Sequence, residues 1–191
     1  AYTMFDASGT ETVKSSSTTT NSGDVGDEAI IPTIWAELAN DNGWAIGIDW
    51  LPTTEIGSKS GTRPDTDVDD ASDTSGTNKA SADLDSHITY YLMKGFSNGL
   101  FAKAGWAQAD VITTESLATG TTYGNATVDG IAVGLGYEMR DSNNFLLRLE
   151  WLYTNYDDLA LTGSTDADSV SNTISADVDT SAIKLSVGKA F

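Results

Sequence analysis

The sequence predicts an all-β chain: eight antiparallel up-and-down strands closed into a barrel, with the larger apolar face turned outward. Three observations carry that expectation. Apolar residues recur with period two in eight segments, where a helix would show a period of 3.6. The connections between segments alternate between short turns and long acidic stretches. The second face of the strands is dominated by Gly, Ala and Ser with isolated charges, which suits a narrow interior better than a wet exterior.

The segments follow in order. Residues 1–13 form the first strand, with ambiguous parity. In 29–39, Ile34, Ala36 and Leu38 oppose Glu37. In 43–56, Trp44, Ile46, Ile48 and Trp50 oppose Ala45, Gly47 and Asp49. Residues 86–95 form a weaker fourth strand. In 99–112, Leu100, Ala102, Ala104 and Trp106 oppose Lys103 and Gly105. In 128–139, Ile131, Val133, Leu135, Tyr137 and Met139 oppose Gly130, Ala132, Gly134, Gly136 and Glu138. In 144–156, Phe145, Leu147, Leu149, Trp151 and Tyr153 oppose Arg148, Glu150 and Thr154. The last strand places Ile183, Leu185, Val187, Lys189 and Phe191 against Ala182, Lys184, Ser186, Gly188 and Ala190.

Three connections are tight turns: Asn40-Asp41-Asn42-Gly43, Phe96-Ser97-Asn98-Gly99 and Arg140-Asp141-Ser142-Asn143-Asn144. The other four fall at about 15–28, 58–82, 113–124 and 157–175 and read as long acidic loops of one domain covering 1–191. The chain has 28 Asp and Glu against 10 Lys and Arg, a net charge of −18. Nineteen of the acids lie in and beside those loops, with only Lys59, Arg63 and Lys79 among them. The remainder is nearly neutral and can bury surface, so the chain is not read as disordered. A balance this acidic argues against nucleic acid and against a polybasic membrane anchor. The absence of cysteine excludes disulfides and thiolate chemistry, and a single histidine, His87, excludes a multi-histidine metal site.

A soluble lipocalin-like barrel would put the apolar face inside, and a membrane barrel would put it outside. Small residues with a few charges fit a crowded lumen, and large aliphatics with terminal aromatics fit lipid. Trp44 to Ile56 spans roughly 30 Å of height at about 3.3 Å per residue and ~40° tilt, enough for a bilayer's apolar band. No run of about 20 apolar residues exists for a helical span. The chain opens on Ala1 and enters a strand almost at once, as an exported protein would after cleavage of its leader.

The terminal Ile183-Lys184-Leu185-Ser186-Val187-Gly188-Lys189-Ala190-Phe191 resembles the C-terminal signal strand of Gram-negative outer-membrane barrels. Phe101-Ala102-Lys103-Ala104-Gly105-Trp106 and Gly134-Leu135-Gly136-Tyr137 resemble internal strands of OmpA-like and opacity-protein-like barrels. The resemblance implies an eight-stranded fold, the outer membrane as its place, contact with lipid and lipopolysaccharide, and assembly by the barrel-assembly machinery through Ile183, Leu185, Val187 and Phe191.

Candidate sites follow from parity. Glu37, Asp49, Lys103, Glu138, Arg148, Glu150 and Lys184 all point inward and fall about four to eight residues from the nearest short turn or the C-terminus. They are expected in one layer of the lumen, with Glu138, Arg148 and Lys184 side by side. Isolated buried charges are too costly, so these must pair. A structural ion-pair plug is the first reading, and a narrow ion path is the second. Asp65, Asp67 and Asp69 open like a calcium loop, but Asp70 and Gly76 break its pattern at the sixth and twelfth positions. No cofactor is expected beyond weakly held Ca²⁺ or Mg²⁺ there. His87 beside Ser86 and Asp85 invites a catalytic reading, but neighbours on a strand face opposite ways, so His87 is placed at the outer rim. The aromatics Trp44, Trp50, Trp106, Tyr137, Phe145, Trp151, Tyr153 and Phe191 read as interface girdles and lipid contacts. The expected role is a non-catalytic structural or surface-interaction protein at the cell surface. A narrow cation-preferring channel and a lipid-modifying enzyme are the alternatives.

Overall fold

A computed structural model describes residues 1–14, 18–63, 76–117, 122–164 and 171–191. Among them are eleven strands and no helix: β1 (Tyr2–Lys14), β2 (Thr18–Ile30), β3 (Ile34–Ala39), β4 (Trp44–Leu51), β5 (Thr54–Arg63), β6 (Gly76–Gly95), β7 (Leu100–Ser116), β8 (Ala126–Arg140), β9 (Phe145–Tyr156), β10 (Leu159–Thr162) and β11 (Ser171–Lys189). They form one antiparallel sheet in the order β2-β1-β11-β9-β8-β7-β6-β4-β3, with β10 on β11 and β5 on β6. The first and last strands of that order, β2 and β3, are separated in the chain only by Ile31-Pro32-Thr33.

The three short turns fall where the sequence puts them. Asn40 Oδ1 accepts from the backbone N–H of Asn42 and of Trp44, both at 3.0 Å. Asp141 Oδ1 does the same for Asn143 and Phe145, both at 2.8 Å. Gly43 and Gly99 close their turns at φ 78° and 87°, a region that L side chains avoid. Two of the strand breaks contain proline, Pro32 between β2 and β3 and Pro52 between β4 and β5. Proline has no N–H to give a ladder.

The strands run far into segments assigned above to loops. β2 covers most of 15–28, β5 and β6 enter 58–82, β7 reaches Ser116, and β10 and β11 enter 157–175. Charge density hid a second alternation. Leu84, Leu159 and Leu161 are buried beyond the segments read as strands, flanked by Asp83, Asp85, Asp158 and Thr162. A strand needs only one apolar face.

The sheet curls, so one face is concave. Side chains meet across it from strands far apart in the order, β9 with β3 and β11 with β4. The convex face carries an apolar belt. Ile46, Ile48, Ile131, Val133, Leu147, Leu149, Leu185 and Val187 are between 39 and 78 % exposed, the orientation expected from the sequence. The belt ends abruptly on every strand it crosses. Along the convex positions, Met4 gives way to Asp6, Ile131 to Asp129, Trp106 to Gln108 and Tyr153 to Asn155.

Beyond that line the sheet's polarity inverts. Its concave face becomes apolar, with Phe5, Ile31, Leu84, Ala107, Ala109, Val111, Val128, Tyr156, Leu159 and Leu161 packed together. Its convex face becomes Asp, Ser and Thr. A band of buried Thr3, Thr89, Thr154, Thr180 and His87 marks the crossover. On β6 the change of parity is made by a bulge between Asp85 and Ile88, with Ser86 at φ 51°. A bulge adds one residue and re-aims the next side chain.

Candidate functional site

His87 shares the inward parity of Thr89, Tyr91 and Met93 and lies in the interior, not at the expected outer rim, and the bulge beside it brings Leu84, not Asp85, to the same face. His87 is 5 % exposed, and its Nε2 lies 2.8 Å from the Tyr156 hydroxyl. Ser86 stays outside and donates to Asp85 Oδ2 at 3.0 Å. The Ser–His pairing that the sequence invites is therefore split between two faces.

The seven interior charges come together, but in two tiers instead of one layer. In the first, the Arg148 guanidinium donates to Glu37 Oε1 and Oε2 at 2.7 and 2.9 Å. It also donates to Glu138 Oε2 through Nη2 at 2.6 Å and through Nε at 3.2 Å. The Trp35 and Phe101 rings lie 4.6 and 5.0 Å from its central carbon. A planar cation between ring faces, holding two carboxylates by its fork, uses every surface that arginine offers.

In the second tier Lys103 Nζ lies 2.6 Å from Glu150 Oε1 and 3.9 Å from Asp49 Oδ2, and Lys184 bonds Asp49 Oδ2. The last hairpin's register explains the split. Lys184 stands opposite Glu150, while Ser186 stands opposite Arg148. Lys184 is thus one inward position away from the arginine it was expected to flank. Tyr91 joins the tiers: its hydroxyl donates to Glu37 at 2.7 Å and Lys103 Nζ sits 4.1 Å from its ring centre. Apart from Glu138, the charged side chains of these tiers are no more than 9 % exposed.

Sequence reasoning missed Tyr91, Trp35 and Phe101 as members of this ladder. The signal was present in the inward glycines. A Cβ on Gly47 would stand 2.5 Å from the Tyr91 ring, one on Gly136 2.4 Å from Phe101, and one on Gly188 2.6 Å from Trp35. Tyr91 and Phe101 lie over glycines of neighbouring strands, and Trp35 of β3 reaches across the concave face to Gly188 of β11, each taking the space of a missing side chain.

The other expected sites are placed as follows. Ile183, Leu185, Val187 and Phe191 lie on the convex face, all exposed. Trp44, Trp50, Trp106, Tyr137, Phe145 and Trp151 are exposed there too, with Tyr90 stacked on Trp106 at 5.9 Å. Lys94 covers Trp44 and Lys189 covers Phe145, at 5.1 and 5.0 Å. Asp65, Asp67 and Asp69 lie outside the described residues.

Acids also face each other on the convex surface beyond the belt. Asp6 stands opposite Asp179, and Ser8 stands between Asp24 and Asp177. Asp158, hydrogen-bonded to Asp177, raises that group's pKa above the ordinary carboxylate value. Repulsion between the ionised pair acts only in the folded chain. It is fully present above the raised value, fades as pH falls from there to the ordinary one, and is gone below it. Asp177→Asn is therefore expected to raise the urea midpoint at about pH 7 and to leave it unchanged at about pH 3. A midpoint that falls at the higher pH would show the pair to be stabilising.

No protein-family model and no curated protein matches the chain. Among solved structures it is similar to Ail, the attachment invasion locus protein of Yersinia pestis, in complex with the heparin analogue sucrose octasulfate. The identity is 12 %, the match covers 94 % of this chain and 96 % of that one, and the TM-score is 0.39. A second Ail structure gives 10 % identity, the same coverage and a TM-score of 0.32. Similarity at this level leaves the function to be read from the chain's own residues.

Proposed function

We propose that this chain is an eight-stranded outer-membrane β-barrel that holds an acidic platform above the cell surface, with a structural or surface-interaction role and no catalytic step. The inversion of the sheet's polarity carries the reading. Twenty-seven large apolar side chains are exposed among the described residues, most of them in one convex belt. Monomeric proteins in water rarely expose contiguous apolar patches beyond a few hundred Å². Lipid around the belt removes that cost, and the switch to Asp and Asn marks where lipid ends.

Eight strands follow when each interrupted pair counts as one: β2 with β3, β4 with β5, and β9 with β10. The ends of the sheet order are then one continuous strand, which supports closure. β6 alone is 20 residues, roughly 65 Å long, against a hydrocarbon core of about 30 Å. The excess stands outside the membrane as a sheet with its own apolar core. Ile183, Leu185, Val187 and Phe191 present the pattern through which the assembly machinery would take the strand up.

The concave face supports a closed interior over an ion path. The lower half is filled by the charge ladder and its rings, and the upper half by the apolar cluster. An eight-stranded barrel is just wide enough for side chains to fill. The reconstituted protein is therefore expected to add no steady conductance to a planar bilayer. A stable cation-selective current would replace this reading with the channel.

A further inference from the structure

The upper sheet has an open seam. β2 pairs only with β1 and β5 pairs only with β6 among the described residues. Below the seam the same chain segments are zipped together as β3 and β4, with Ile34 opposite Trp50. Continuing that register by two residues sets Pro32 opposite Pro52. Two prolines face to face remove both ladder donors at one point, and pairing stops there.

Past the prolines, β2 and β5 come within 8 Å of each other only over a short stretch. Paired strands lie about 4.8 Å apart, so an intervening strand needs roughly twice that. Gly23 on β2 and Gly57 and Gly61 on β5 have no atom within 4 Å of a Cβ position, an openness that Gly124 shares away from the seam, whereas Gly26 of β2 meets Asp6 Oδ1 at 3.3 Å. Glycine in a strand often marks the close approach of another backbone.

We infer that this seam accepts an extended polypeptide strand from a partner, adding it between β2 and β5. The inference names a partner class for the surface role proposed above and so rests on that reading. Unpaired N–H and C=O groups on both edges supply the main-chain bonds of strand addition. Charge and parity define the sequence it takes. The convex side beside the seam carries Asp6, Asp24 and Glu28, and the concave side opens next to the prolines on the apolar cluster beside Ala29 and Ile31, with Asp27 and Lys59 further along its two edges. An inserted strand would turn basic side chains outward and apolar ones inward, so the partner alternates Lys or Arg with Val, Ile or Leu.

The test uses the whole chain held in detergent and a synthetic octapeptide of four Lys-Val repeats as the probe. Binding is expected, and N-methylation of alternate backbone nitrogens should weaken it by about tenfold or more while leaving charge unchanged. A Glu-Val octapeptide should not bind. Because the chain has no cysteine, a Lys-Val probe carrying one cysteine should form a mixed disulfide with Ser22→Cys and with Thr62→Cys, the two edges it would lie between. Equal binding of the N-methylated peptide would overturn the inference, showing attraction by charge alone. No binding of the Lys-Val probe would overturn it while leaving the lipid belt and closed interior untouched.

Discussion

Arg148→Ala is expected to lower the urea midpoint far more than Leu149→Ala, although the two residues are adjacent. Arg148 is 2 % exposed and holds Glu37 and Glu138 at 2.6–2.9 Å through its terminal nitrogens. Its loss strands the Glu37 carboxylate where water does not reach freely and leaves Glu138 only Arg140 at 3.7 Å, and breaking a buried pair costs about 3–5 kcal/mol. Trp35 and Phe101 would also lose the cation between their rings. Leu149 lies on the convex belt, 54 % exposed, so truncating it leaves no interior cavity. A triple variant, Arg148→Met with Glu37→Gln and Glu138→Gln, should recover much of the loss because no charge is left unpaired. Equal effects of Arg148→Ala and Leu149→Ala would show that the ladder is solvated and weak.

The second large effect is expected at Gly136. A Cβ there would stand 2.4 Å from the Leu149 carbonyl oxygen and 2.4 Å from the Phe101 ring. The ring could turn only by leaving Arg148, and the carbonyl belongs to the sheet. Overpacking of this kind costs about 1–3 kcal/mol, with more where backbone must move. Gly136→Ala should therefore depress the unfolding midpoint strongly, whereas Gly23→Ala, with open space around it, should leave it nearly unchanged. A harmless Gly136→Ala would mean that the strands yield at this point.

Much of this fold was legible from period-two alternation, because the convex belt holds almost no polar residue. Ile131 to Met139 and Phe145 to Tyr153 could be assigned to a face without coordinates. The extensions were not legible in the same way. Their concave positions hold single apolar residues such as Leu84, Leu159 and Leu161, and Asp between them reads as loop. His87 was misplaced because the weak apolar pattern of 86–95 left that strand's inner face unassigned, although His87 shares parity with the buried Thr89, Tyr91 and Met93. The ladder's membership followed from inward parity and the need to pair charges. Its division into two tiers depends on the register between β9 and β11, which a one-position difference decides.

The central claim is that one sheet faces lipid below the crossover and water above it, and site-directed spin labelling along β8 tests it most directly. The chain has no cysteine, so single replacements at the convex positions from Thr127 to Tyr137 can be labelled cleanly in liposomes. Labels at Ile131, Val133, Leu135 and Tyr137 are predicted to be reached by oxygen dissolved in the bilayer, and labels at Thr127 and Asp129 by a water-soluble nickel complex. The nickel complex reaching the labels at Ile131 and Val133 as readily as that at Asp129 would contradict the account, since the apolar belt would then be facing water.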